Sequence, residues 1–144
     1  MKKLNLLILL LAASPLAFAQ TKLTQNQVPK AVHQSYLSQN AEGKKNPSWS
    51  KDKNGVYKVT FKDEGKLWES QYKANGSWVK TYTTIGYNEV LPNIKSQVTK
   101  LYPDAKVKSS RIELNNEGKF YIVELTDKKQ VKSIWFTPSG KLYK

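Results

Sequence analysis

The feature that most restricts what this chain can fold into is a period. Tyr57, Val59, Asp63 and Gly76 recur as Tyr121, Val123, Asp127 and Gly140 at a constant offset of 64, and Ala41 with Lys80 recur as Ala105 with Lys144. Strand and turn residues that keep one register predict two copies of one supersecondary unit. The apolar positions travel with these identities. Duplication without a catalytic motif directs attention to surfaces rather than to a reaction.

The chain opens as an export leader. Met1-Lys2-Lys3 is a short cationic head, Leu4 to Leu11 an apolar run, and Ala17-Phe18-Ala19 presents small residues where a signal peptidase reads. Cleavage is expected after Ala19, releasing a periplasmic or secreted chain. A membrane anchor needs roughly 20 apolar residues, and Ser14, Pro15 and Gln20 interrupt the run too early. The expected layout is a signal peptide over 1–19, a first repeat over 20–87 and a second over 88–144.

From Gln20 to Lys144 there are 125 residues and no cysteine, so neither disulfides nor thiolate chemistry are available and apolar burial must hold the fold. The formal charge is +13, with Lys2 and Lys3 in the leader. The excess is even: eleven basic and five acidic residues over 20–88, eleven and six over 89–144. Only Arg111 is an arginine. Dispersed lysines suit a solvated surface drawn to an acidic partner or an anionic envelope surface better than a nucleic-acid stripe.

Val28-Pro29 and Leu91-Pro92 each predict a helix start, because proline early in a helix sacrifices no hydrogen bond. Val28, Ala31, Val32 and Tyr36 fall on one helical face, as do Leu91, Ile94, Val98, Leu101 and Tyr102. The first helix should fray near Asn40 into a loop over 42–47, and the second should end at Tyr102 before Pro103. Strand signals follow over 56–62, 66–72 and 77–83 in the first copy, and over 120–125, 130–136 and 141–144 in the second. Preceding strands are expected around 48–50 and 107–114. Asn54-Gly55, Asp63-Glu64-Gly65, Asn75-Gly76, Asn116-Glu117-Gly118 and Ser139-Gly140 supply the turns.

Alternation assigns the faces. Tyr57, Val59 and Phe61, with Tyr121, Val123 and Leu125, should face the helices, together with Ser70, Tyr72, Ile134 and Phe136. Lys58, Thr60, Glu69 and Gln71 then point away in the first copy, and Phe120, Ile122, Val131 and Trp135 in the second. The fold class is therefore α+β: two tandem repeats, each a helix packed on a four-stranded antiparallel sheet.

The Val-Pro or Leu-Pro helix opening, the Tyr102-Pro103-Asp104-Ala105 exit and the Asn-Gly or Ser-Gly hairpins resemble the PepSY-like family of small exported bacterial proteins, similar to the beta-lactamase inhibitor protein. The resemblance spans Val28 to Lys144. It implies the same α+β tandem-repeat fold and a role in protein binding or inhibition in the periplasm. The first helix departs from it, with Gln39-Asn40-Ala41 in place of the Tyr-Pro exit. No residue of a beta-lactamase-binding motif carries over, so inhibition of that enzyme is not implied.

Chemical sites are sparse. His33 is the single histidine, without a second histidine or cysteine for a metal or an orienting acid for a nucleophile. Asp63-Glu64, flanked by Gly65, reads as a turn. The glycines sit singly in hairpins and build no phosphate loop. Asn75-Gly76-Ser77 fits a hairpin better than a glycosylation acceptor. No enzyme, cofactor or metal is expected. The sequence instead singles out Trp135, Phe120 and Ile122 as an exposed apolar patch rimmed by Lys119 and Lys132, against tryptophans that simply fill the core. The reading is a protein-binding or inhibitor-like module with an exposed aromatic sheet face. The alternative is a cationic binder of envelope polyanions, lipopolysaccharide or nucleic acid.

Overall fold

The computed structural model describes residues 20–40 and 46–144. The expected leader with its expected cleavage position, Ala41 and most of the expected 42–47 loop lie outside the described residues. One antiparallel meander of eight strands runs in sequence order. It comprises β1 (Thr21–Leu23), β2 (Ser48–Lys51), β3 (Tyr57–Asp63), β4 (Lys66–Tyr72), β5 (Trp78–Ile85), β6 (Lys106–Asn115), β7 (Gly118–Asp127) and β8 (Gln130–Phe136). Helix α1 (Lys30–Gln39) lies between β1 and β2, and α2 (Pro92–Leu101) between β5 and β6.

Two separate four-stranded sheets were expected; the sheet is single. β5 pairs with β6 over six residues, from Lys80–Asn115 to Ile85–Ser110, so hydrogen bonding crosses the middle of the chain without a break. Four strands follow α1, and three follow α2. The expected last strand over 141–144 is a bridge between Phe136 and Leu142, with Tyr143 N–H donating to Trp135 O (2.7 Å) and Trp135 N–H to Lys144 O (2.6 Å). β4 and β8 span 66–72 and 130–136, whereas β3 and β7 end at 63 and 127 but begin at 57 and 118, so β7 is the longer strand.

Both helices lie on one face of the sheet over separate cores. Val28, Val32 and Tyr36 of the first unit pack on Trp49, Tyr57, Val59, Phe61 and Tyr72. Val90, Ile94 and Val98 of the second pack on Tyr121, Val123, Leu125, Ile134 and Phe136. The strand alternation therefore points as the sequence indicates. Each helix buries two residues four apart, Val32 and Tyr36 in α1 and Ile94 and Val98 in α2, with Val28 and Val90 just ahead of the helices continuing the stripe. Ala31 and Leu101, which the sequence placed on the buried faces, are exposed.

Between the cores runs a polar seam. Ser70 and Thr81 hydroxyls lie 2.6 Å apart, Trp78 Nε1–H donates to Thr81 Oγ1 (2.9 Å), and Tyr72 Oη donates to Gln39 Oε1 (2.8 Å). A cleft of about 320 Å³ opens there, lined by Phe61, Trp78 and Leu114 among others. Hydroxyl partners are what allow this strip to be buried without a helix above it.

Candidate interaction surface on the helix-free face

Among the described residues the opposite face of the sheet carries no helix, and its residues follow from register. One row across the strands reads Thr60–Glu69–Tyr82–Glu113–Phe120. The next places Thr84, Arg111, Ile122 and Trp135 side by side. Neighbouring strands lie about 4.8 Å apart, so these rows form a band of charged and aromatic side chains.

Its centre is Tyr82. Lys80 Nζ stands 5.5 Å and the Arg111 guanidinium 5.8 Å from the ring centroid, within cation–π range. Both cations also meet Glu113, at 3.4 Å from Lys80 Nζ and 3.3 Å from Arg111 Nη2. Glu113 is 2% exposed, and two positive partners are what a buried carboxylate requires. On the other flank Glu69 accepts from Gln71 Nε2 (2.8 Å) and lies 4.0 Å from Lys58 Nζ. Burial, then the neighbouring Glu69 carboxylate and its hydrogen bond, push the Tyr82 phenol up to about 12, with Arg111 opposing. Tyr82 thus stays a neutral donor at any physiological pH.

The apolar part of the face is arranged differently from the expected patch. Phe120 and Ile122 are 2% and 3% exposed, so they are buried rather than open. Phe120 lies under Trp135 (centroids 5.5 Å apart) and Tyr143 (4.5 Å), and Lys144 Nζ stands 4.1 Å from the Trp135 ring. The last residues, folded back along β8, cover what alternation alone leaves bare. Trp135 remains half-exposed, as does Tyr143.

Lys119 and Lys132 do not rim this patch. They share the parity of Tyr121 and Ile134 and lie on the helix-bearing side: Lys119 Nζ is 5.7 Å from the Tyr121 ring, and Lys132 Nζ is 5.0 Å from the Tyr102 ring. Asp127 Oδ2 accepts from Lys132 at 2.8 Å. The structure therefore brings Trp135, Phe120 and Ile122 together and sets the two lysines apart from them.

Sequence reasoning missed Tyr82, Lys80, Arg111 and Glu113. Their signal was present, since residues 80, 82 and 84 and residues 111, 113 and 115 alternate on one parity. It becomes legible only once β5 is known to pair with β6. The remaining candidates are bland: His33 is half-buried, 2.8 Å from Gln25 Nε2, and Asp63-Glu64 closes the β3–β4 hairpin with Glu64 at φ 47°. Among the described residues no group of three histidine, cysteine or carboxylate side chains is placed to hold a metal, and no helix is long and apolar enough to cross a membrane.

No protein-family model matches the sequence, and no curated protein matches it. Solved structures do share the fold. A BLIP-like protein from Bacteroides fragilis superimposes with a TM-score of 0.68 at 19% identity, covering 81% of this chain and 84% of that one. A DUF2874 family protein from Bacteroides ovatus gives 0.67 at 18% identity, with 81% and 84% covered. A candidate periplasmic protein from Bacteroides eggerthii gives 0.64 at 17%, with 81% and 86% covered. At these identities the likeness shows the fold alone: an α+β chain of BLIP-like architecture, with an eight-stranded antiparallel sheet and two helices.

Proposed function

We infer that this chain is an exported, non-enzymatic binding module of the PepSY-like type, duplicated from one helix-and-strand unit and working in the periplasm after loss of residues 1–19. It holds an acidic protein segment on the helix-free sheet face. The observation that carries this reading is the Tyr82–Arg111–Trp135 band. Tyrosine, arginine and tryptophan are the residues that dominate protein interfaces, and here they stand on a sheet face that no helix among the described residues covers. Phe120 and Ile122 support the band from beneath. Lys58, Lys80, Arg111 and Lys144 outnumber Glu69 and Glu113 among the residues that build it, which favours an acidic partner. Lys119 and Lys132 contribute to the positive field from the other side of the sheet without touching the partner. The leader and the fold shared with a BLIP-like protein and a candidate periplasmic protein support the compartment and the binding role, although fold does not fix function.

The test is capture from periplasmic extract at moderate salt on the chain beginning at Gln20, alongside Trp135→Ala, Tyr82→Ala and, from the helix layer, Leu37→Ala. A protein held by the parent and by Leu37→Ala but weakened by about 2 kcal/mol or more in Trp135→Ala supports the reading. Retention of anionic polymer alone, lost with salt and indifferent to Trp135, replaces it with the polyanion alternative.

A further inference from the structure

β6, β7 and β8 run on past the rest of the sheet. Ile85, the last residue of β5, pairs with Ser110, and beyond that row the pairs Ser109–Glu124, Val107–Leu125 and Lys106–Thr126 have no β5 beside them. This projecting end gathers lysines from three elements: Lys100 in the last turn of α2, Lys106 and Lys108 at the start of β6, and Lys128 and Lys129 at the β7–β8 turn. None of these five belongs to an ion pair among the described residues. The carboxylates of the same segments are Asp104, Glu124 and Asp127, and Asp127 is already bonded to Lys132.

Two exposed apolar side chains border this end from opposite sides of the sheet, Leu101 at the end of α2 and Val131, which shares the parity of Trp135, on the helix-free side. Leu101 is 43% exposed and Val131 is 57% exposed. Both therefore remain in water beside unpaired cations.

The turn itself is unusual. Lys128 and Lys129 have φ of 46° and 67°, in the left-handed region that is unfavourable for a residue with a side chain. At the matching β3–β4 turn the residues are Glu64 and Gly65, and glycine at φ 76° takes that conformation freely. The second unit thus holds two lysines where the first holds a carboxylate and a glycine.

We propose that this end is a peripheral docking surface for an anionic phospholipid bilayer. The lysines meet headgroup phosphates, and Leu101 and Val131 enter the headgroup–acyl boundary. Lysines flanking exposed aliphatic side chains are the chemistry of interfacial attachment, whereas a soluble polyanion would leave those side chains without a partner. The surface lies at the ends of the strands, so docking leaves the Tyr82–Arg111–Trp135 band further along them open.

Both cores lie wholly within residues 20–144, so the chain beginning at Gln20 is the molecule to test, by co-sedimentation with phosphatidylcholine vesicles made with and without phosphatidylglycerol. Binding is expected only with phosphatidylglycerol. Lys128→Glu with Lys129→Glu should reduce partitioning by at least about 25-fold, on the order of fivefold per lysine removed. Leu101→Ser with Val131→Ser, at unchanged charge, should reduce it by about tenfold. The control is Lys30→Glu with Lys73→Glu, an equal charge change near the opposite ends of the strands, and it should retain more than half the binding. A control that falls as far as the Lys128/Lys129 variant overturns the proposal in favour of bulk charge. Binding indifferent to the two serine substitutions overturns it in favour of a polyanion site, and no binding to either vesicle overturns it outright.

Discussion

Replacing Phe120 by alanine tests whether the helix-free face has an interior of its own. Phe120 is 2% exposed on a face without a helix, held by Ile122 beside it and by the Trp135 and Tyr143 rings. Removing a fully buried phenylalanine from a core costs about 3–5 kcal/mol. Trp135 and Tyr143 are partly exposed and can settle into the space, which puts the expected loss near the lower bound, about 3 kcal/mol. For 125 residues the unfolding entropy is about 0.26 kcal/mol/K, so the melting temperature should fall by about 11 °C. Trp135→Ala, which removes a half-exposed ring, should cost about 1 kcal/mol and about 4 °C. The assay is urea unfolding followed by far-ultraviolet circular dichroism, with calorimetry for the melting point and an unchanged m-value as the check on two-state behaviour. Tyr143→Ala should lose about 1 kcal/mol, and the Phe120/Tyr143 double variant less than the sum, because the two rings are in contact. Phe120→Ala losing no more than Trp135→Ala would refute the reasoning, since the terminal residues would then not be sealing a core.

Two further outcomes follow from geometry. Gly76 sits at φ 87° with Ala31 O only 2.7 Å from where a Cβ would be, whereas Gly65, at φ 76°, has nothing within 4 Å. Gly65→Ala should cost about 1–2 kcal/mol for its backbone alone. Gly76→Ala should exceed it by about 1 kcal/mol or more, because the first turn of α1 must move; urea midpoints give the difference. Tyr72 is pushed up to about 12 chiefly by burial, and Tyr82 likewise. A folded-state value above the unfolded value near 10 means that the folded state holds its protons more tightly. The associated stability is complete below about pH 10 and is lost as pH rises toward about 12. Urea midpoints should fall across that window, and the fall should be shallower in Tyr72→Phe; a slope unchanged in both Tyr72→Phe and Tyr82→Phe would contradict the assignment.

Much of the fold is legible in the sequence because its signals are local. Proline fixed the helix starts at Pro29 and Pro92, and α2 begins with Pro92 at its first turn. Strand parity placed Tyr57, Val59 and Phe61 with Tyr121, Val123 and Leu125 under the helices, since a period of two leaves no third direction. Less of the candidate surface is legible. Trp135 was picked out correctly as a face residue, but its neighbours Phe120 and Ile122 were read as open because parity states which side a residue is on and not what lies over it. Lys119 and Lys132 were grouped with Trp135 by nearness in sequence, although adjacent strand residues point to opposite faces.

The sequence alone determines the two helices, the strands β3, β4, β7 and β8 and the parity of those four, because these depend on contacts within a few residues; it did not reveal β1, and the strand it predicted over 141–144 is a bridge. Tertiary structure decides that the two units share one sheet, that residues 142–144 fold back over Phe120, and that Tyr82 meets Arg111 and Glu113. Each depends on which strands become neighbours, and that choice is made by the free energy of the whole assembled sheet, in which backbone hydrogen bonds across β5 and β6 join residues 25 to 35 positions apart.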